Sequence, residues 1–103
     1  MKVDARHLEK QESRKRWSEL RDLWNEFDPI GVMNDPTWPR SEYENYCGPC
    51  MRLLEQNSDT AKLVAHILSA HDHMGLQGNS EDIHDFATKM QSWFQKNWAN
   101  TYA

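Results

Sequence analysis

Leu, Ile, Val and Phe together supply only 17 of the 103 residues, a share low enough to raise the question of disorder. Five Trp, five Met and three Tyr stand in for them, and aromatic side chains each bury a large area. Val, Ile and Thr are scarce and never form the short period-two runs of a strand, so no β-structure is expected. No apolar run approaches the ~20 residues of a membrane span. Residues 1–16 are polar and mixed in charge, which is not the pattern of a secretory signal. Two cysteines without an export signal point to free thiols in a reducing, cytoplasmic setting. Gly-rich phosphate loops, G-x-S-x-G and H-E-x-x-H are all missing. No catalytic residue, metal ligand or cofactor is therefore assigned.

The formal charge of −4 is unevenly spread. Residues 1–22 hold seven Lys and Arg against five Asp and Glu, whereas residues 23–103 hold five against eleven. Nucleic-acid binding needs clustered cations to neutralise phosphates, so a nucleic-acid partner is not expected. An acidic surface serves solubility, and it also speeds encounter with a basic protein.

Apolar residues recur at helical spacing in four segments. The first runs from about Asp4 to Glu26 on Trp17, Leu20, Leu23, Trp24 and Phe27, with 1–16 expected to fray or project, and stops at Asp28-Pro29. The second begins with Ser41 as cap and Glu44 as its capping-box partner, carries Tyr43, Tyr46, Cys47, Cys50, Met51 and Leu54, and meets Gly48-Pro49 in its interior, where a kink or break is expected. The third, capped by Ser58 or Asp59, buries Leu63, Val64, Ile67, Leu68 and Met74 and stops at Gly75. The fourth starts at Ser80 with Glu81 and Asp82 at its positive end and buries Ile83, Phe86, Ala87, Met90, Trp93 and Phe94. Residues 99–103 should fray. The expectation is one all-α domain over 1–103, a four-helix, roughly antiparallel bundle. A long loop from Asp28 to Pro39 joins helices one and two, and loops of that length are often functional.

Two patterns look chemical. Cys47-Gly48-Pro49-Cys50 has the letters of a thioredoxin active site, but that chemistry needs the first thiol at an exposed helix N-terminus after a strand. Here no strand precedes it, Glu42 and Glu44 lie nearby, and the thiols read as small core residues. A thiol redox protein remains the alternative, and would gain weight if Pro49 restarted a helix beneath Cys50. Cys47, Cys50, His66 and His71 loosely match a zinc spacing. On one helix, however, His66 and His71 diverge by about 140°, and His66 and His73 stand about 10 Å apart, too far for one ion with bonds near 2 Å. Solvated helix positions are the simpler reading of these histidines.

Leu23-Trp24-Asn25-Glu26-Phe27-Asp28-Pro29-Ile30-Gly31-Val32 resembles the E-W-D-P-I-G-V segment of the YugE-like family of small bacterial helical proteins. Ser41-Glu42-Tyr43-Glu44-Asn45-Tyr46 is similar to that family's D-E-Y-D-x-Y element, and His71 to Leu76 to its E-x-x-H-M-G-L turn. The likeness spans roughly residues 17–98. Phe27 stands where the family usually has Trp, Ser41 where it has Asp, and Cys47 and Cys50 at positions normally aliphatic. The resemblance brings no enzymatic activity or cofactor. Some similar proteins are encoded beside polymorphic toxins, so it implies an immunity role. Read physically, Asp28, Pro29, Ile30, Gly31 and Tyr43 form a structural motif that shapes the loop. Asp28, Asp35, Trp38, Glu42 and Glu44 are the candidate partner-binding residues, a Trp anchor with a charged rim. The expected partner is a protein, most concretely a basic toxin domain, with no membrane involved. A regulatory or oligomerising bundle that uses the basic first helix is a third possibility.

Overall fold

In a computed structural model that describes residues 10–98, the apolar stripes become four helices: α1 (Lys10–Phe27), α2 (Glu44–Glu55), α3 (Thr60–His73) and α4 (Ser80–Asn97). Each packs on its successor and α1 closes against α4, the arrangement of a small four-helix bundle. No helix among the described residues is long and apolar enough to cross a membrane. The expected helical start near Asp4 and the frayed C-terminus lie outside the described residues. Of the stretch expected to fray, Lys10 to Arg16 is helical, and Arg16 Nη2 is 3.1 Å from Glu55 Oε1 on α2.

Trp24 is the hub of the core. Its buried ring lies 5.0 Å edge-on from Phe86 and 5.7 and 6.0 Å from Tyr46 and Tyr43. One indole thereby joins α1, α2 and α4. At the far end Glu19 Oε1 accepts from Trp93 Nε1 (2.9 Å) and Trp98 Nε1 (3.1 Å), which fixes α4 to α1 through a half-buried carboxylate.

The helix ends follow from their residues. Asp28 adopts φ 48° and donates its N–H to Trp24 O (2.8 Å). The next residue is Pro29, which has no N–H for the second bond of a Schellman motif, so α1 ends on the single-bond left-handed cap. Asp tolerates that conformation better than most side chains. Asn57 (φ 55°) and Gly75 (φ 75°) end α2 and α3 on full Schellman pairs, with Ser58 N bonded to Leu53 O and Leu76 N to His71 O. Asp59 caps α3 through Lys62 N, and Asn79, one residue before the expected start, caps α4 through Asp82 N.

Three expectations fail. Ser41 caps nothing: α2 begins at Glu44, and Tyr43 holds the cap position without a side-chain cap bond. Residues 41–43 are drawn into the loop instead, with Glu44 N bonded to Ser41 O (3.0 Å). Leu68 is 44% exposed, because it lies about 140° around α3 from Leu63. His71 is 5% exposed rather than solvated; it continues the Leu63–Ile67 face one turn on, against Phe27 (ring centroids 5.8 Å). Its Nδ1 lies 2.8 Å from Ile67 O.

Candidate functional site

The loop between α1 and α2 runs over 28–43 as a series of tight turns, with Gly31 N bonded to Asp28 O, Asp35 N to Val32 O and Trp38 N to Asp35 O. Its first half is organised by one carboxylate. Asp28 Oδ1 accepts from Gly31 N (3.1 Å), Val32 N (3.0 Å) and the Tyr43 hydroxyl (2.7 Å), and Oδ2 accepts from Met33 N (3.0 Å). The Tyr43 oxygen in turn accepts from Ile30 N (3.0 Å). Gly31, at φ 80°, supplies the left-handed backbone the turn requires. Asp28, Pro29, Ile30, Gly31 and Tyr43 therefore act as one latch, with the Tyr43 ring in the core.

The electrostatics agree with this geometry. Burial works to raise the Asp28 pKa, but the bonds from Tyr43 and three backbone N–H groups outweigh it and hold the carboxyl below its ordinary value. Burial and the bond to Asp28 push the Tyr43 phenol well above its own.

Arg40 organises the second half. Its Nη1 donates to Met33 O (3.1 Å) and Nη2 to Asp35 O (2.7 Å), while Arg40 O accepts from Asn25 Nδ2 of α1 (3.0 Å). Sequence reasoning passed over this residue. Its signal was available: Arg40 is the only Lys or Arg between Arg21 and Arg52, a single cation in an acidic stretch. Asp35 is fully exposed, and bonds from the Thr37 hydroxyl (2.6 Å) and N–H (2.9 Å), followed by the charge of Arg40, lower its pKa.

The candidate partner-binding residues fall into different settings. The Asp28 carboxylate is engaged inside the loop. Asp35 and Trp38 lie on its outer part, where residues 34–41 are all exposed and Trp38 retains 37% of its surface. Ile30 is also exposed, at 38%. Glu42 is half-buried and close enough to Tyr43 to raise its pKa. Glu44 opens α2, with Oε1 3.7 Å from Arg21 Nη1, so it links two helices.

Both cysteines are free and buried. Cys47 is the fourth residue of α2, closer to its start than the sequence implies, yet Cys50 gains no new helix start because α2 runs unbroken through Pro49. Burial first, then the Cys50 thiol and Glu44, pushes Cys47 to about 12. Burial also raises Cys50 to about 12, against a weak opposing effect of the Trp24 indole. Pro49 has no N–H to give Asn45 O, and Asn45 is an exposed residue. One residue on, His66 Nε2 of α3 lies 3.0 Å from Tyr46 O. Among the described residues no three His, Cys, Asp or Glu side chains converge to hold a metal ion.

Comparison with protein-family models, with curated proteins and with solved structures finds no match to the chain.

Proposed function

We propose that the protein is a non-enzymatic binding domain that engages a basic protein through the outer part of the 28–43 loop. Most concretely, it is an immunity protein that masks a cognate toxin domain in the bacterial cytoplasm. The observation that carries this reading is the presentation of Trp38: a large apolar side chain, 37% exposed, on a loop pinned from one side by Asp28 and from the other by Arg40. A packing loop would turn its tryptophan inward. Leaving more than a third of one accessible on a pre-ordered backbone lowers the entropic cost of association, and Trp is the residue type most favoured as an interface anchor.

Asp35 and Glu42 then form the charged rim. Rim charges act mainly on encounter rate and salt dependence, and a buried anchor acts on dissociation. The resemblance to the YugE-like family, and through it to proteins encoded beside toxins, supports the immunity role. The thiols favour this reading over redox chemistry. At a pKa near 12 almost no thiolate exists at neutral pH, and thiolate is the attacking species.

The test is affinity capture from the native host with tagged wild-type protein, Trp38→Ala and Trp17→Ala, compared by quantitative mass spectrometry. A basic protein held by the wild type and by Trp17→Ala but lost by Trp38→Ala supports the proposal. Capture that ignores Trp38 overturns the assignment of the loop.

A further inference from the structure

Among the described residues Leu68 is the most exposed of the large apolar side chains, at 44%, and it does not stand alone. Ala61, Ala65, Leu68 and Asp72 fall within about 60° of one another around α3, and all four are exposed. Beside them, Val64 of α3 and His84 of α4 help to line an open groove of about 420 Å³. On a chain of net charge −4, no Asp or Glu lines it.

Two charges bound this face, and each stands at the unfavourable end of its helix. Lys62 lies in the first turn of α3 and Asp72 in the last, where the dipole favours an acid and a base respectively. Both are exposed, and among the described residues neither forms an ion pair. A second α3 laid antiparallel on the face reverses the penalty. With the crossing centred between Ala65 and Leu68, each Leu68 meets Ala65 of the other copy. Each Lys62 then comes within one residue, about 1.5 Å along the axis, of the level of Asp72 in the other copy. Every charge thus faces its opposite and the favourable end of the facing helix. The short side chains of Ala61 and Ala65 let two helix axes approach to about 8 Å. The patch is complementary to itself, as a closed two-fold contact requires, and it is free of the like-charge repulsion that acidic surfaces would suffer against each other.

We infer that the protein pairs with a second copy of itself through this face, α3 against α3, antiparallel about a two-fold axis. The dimer uses no residue of the 28–43 loop and does not rest on the proposed binding of a basic protein.

Sedimentation equilibrium of the full chain over a series of concentrations, with thermal melting of each variant, tests the inference. The average mass of the wild type should rise with concentration toward that of two chains. Leu68→Glu, at an exposed position, should hold it at one chain. Lys62→Asp and Asp72→Lys should each weaken the dimer about tenfold, because two exposed ion pairs are lost at once. Neither should lower the melting temperature of the dilute protein, since each new charge suits its helix end. Carried together, the two substitutions restore the pairs in exchanged order and should recover wild-type association. Trp38→Ala should dimerise as the wild type does. A wild type that stays monomeric throughout, a dimer indifferent to Leu68→Glu, a double variant no stronger than either single one, or a dimer lost in Trp38→Ala would overturn the assignment to α3.

Discussion

At the scale of single residues, Asp28 and Gly78 show how much rests on positions with no chemistry of their own. Asp28→Ala removes the acceptor for four groups and leaves a Cβ residue at φ 48°, so a loss of about 3 kcal/mol is expected in denaturant unfolding. Tyr43→Phe removes only the hydroxyl and should cost about 1–2 kcal/mol. Because the folded Asp28 pKa is depressed, its contribution is complete above the ordinary aspartate value near ~4 and is lost as pH falls through the folded value. The stability gap between wild type and Asp28→Asn should accordingly narrow in acid, and a gap constant from neutrality to about pH 2 would contradict the latch. Gly78 is constrained by space. A Cβ there would sit 2.3 Å from Ile83 Cδ1 and 2.9 Å from His71 Cδ2, in a part of the core where Ile83 is fully buried. Gly78→Ala should cost about 1–3 kcal/mol, and thermal unfolding should register it as a drop of several degrees, at about 4–8 °C per kcal/mol for a domain of this size. Gly75→Ala meets nothing within 4 Å and should cost only about 1 kcal/mol through its positive φ.

At the scale of elements, the helices were legible because their burial is written in period: Leu20 and Trp24, Leu63 and Ile67, and Ile83, Phe86, Ala87, Met90 and Phe94 each lie where the spacing puts them, while Trp93 is only partly buried against them. What was not legible depends on contacts between distant segments. Ser41 and Glu44 have the letters of a capping box, but Tyr43 is claimed by Asp28, fifteen residues back, and the helix start moves to Glu44. His71 reads as solvated until Phe27 and Gly78 close over it. The loop motif was legible as a unit; Arg40 stands out as the single cation of its stretch, but its role as second fastener does not, since its acceptors are backbone carbonyls of Met33 and Asp35. α2 illustrates the same limit. Gly48-Pro49 suggested a kink or a break, and no break occurs: α2 runs through the proline, with His66 of α3 bonded to Tyr46 O beside it. A continuous, buried α2 leads to a chemical expectation. In native protein Cys47 and Cys50 should react with a thiol reagent at least a hundredfold more slowly than in denaturant, and Cys47→Ala or Cys50→Ala should cost about 1–2 kcal/mol each. Rapid native labelling, or insulin reduction that disappears with either substitution, would restore the redox reading.

At the scale of the whole molecule, charge and exposure point the same way. The acidic balance is concentrated after residue 22, and the loop sets the exposed Asp35 near the partly exposed Trp38. On the proposed reading such a patch suits a basic partner, with Trp38 as the anchor and the carboxylates as steering groups. The central claim is that Trp38 and the rim act on different steps of one association, so the decisive measurement is binding kinetics of the captured partner by surface plasmon resonance at several salt concentrations. Asp35→Lys with Glu42→Lys should slow association and flatten its salt dependence while the melting temperature barely moves. Trp38→Ala should leave association nearly unchanged and hasten dissociation by about thirtyfold, the equivalent of roughly 2 kcal/mol. If both variants, shown to be folded, bind with wild-type rates at every salt concentration, the loop is not the interface and the account is wrong.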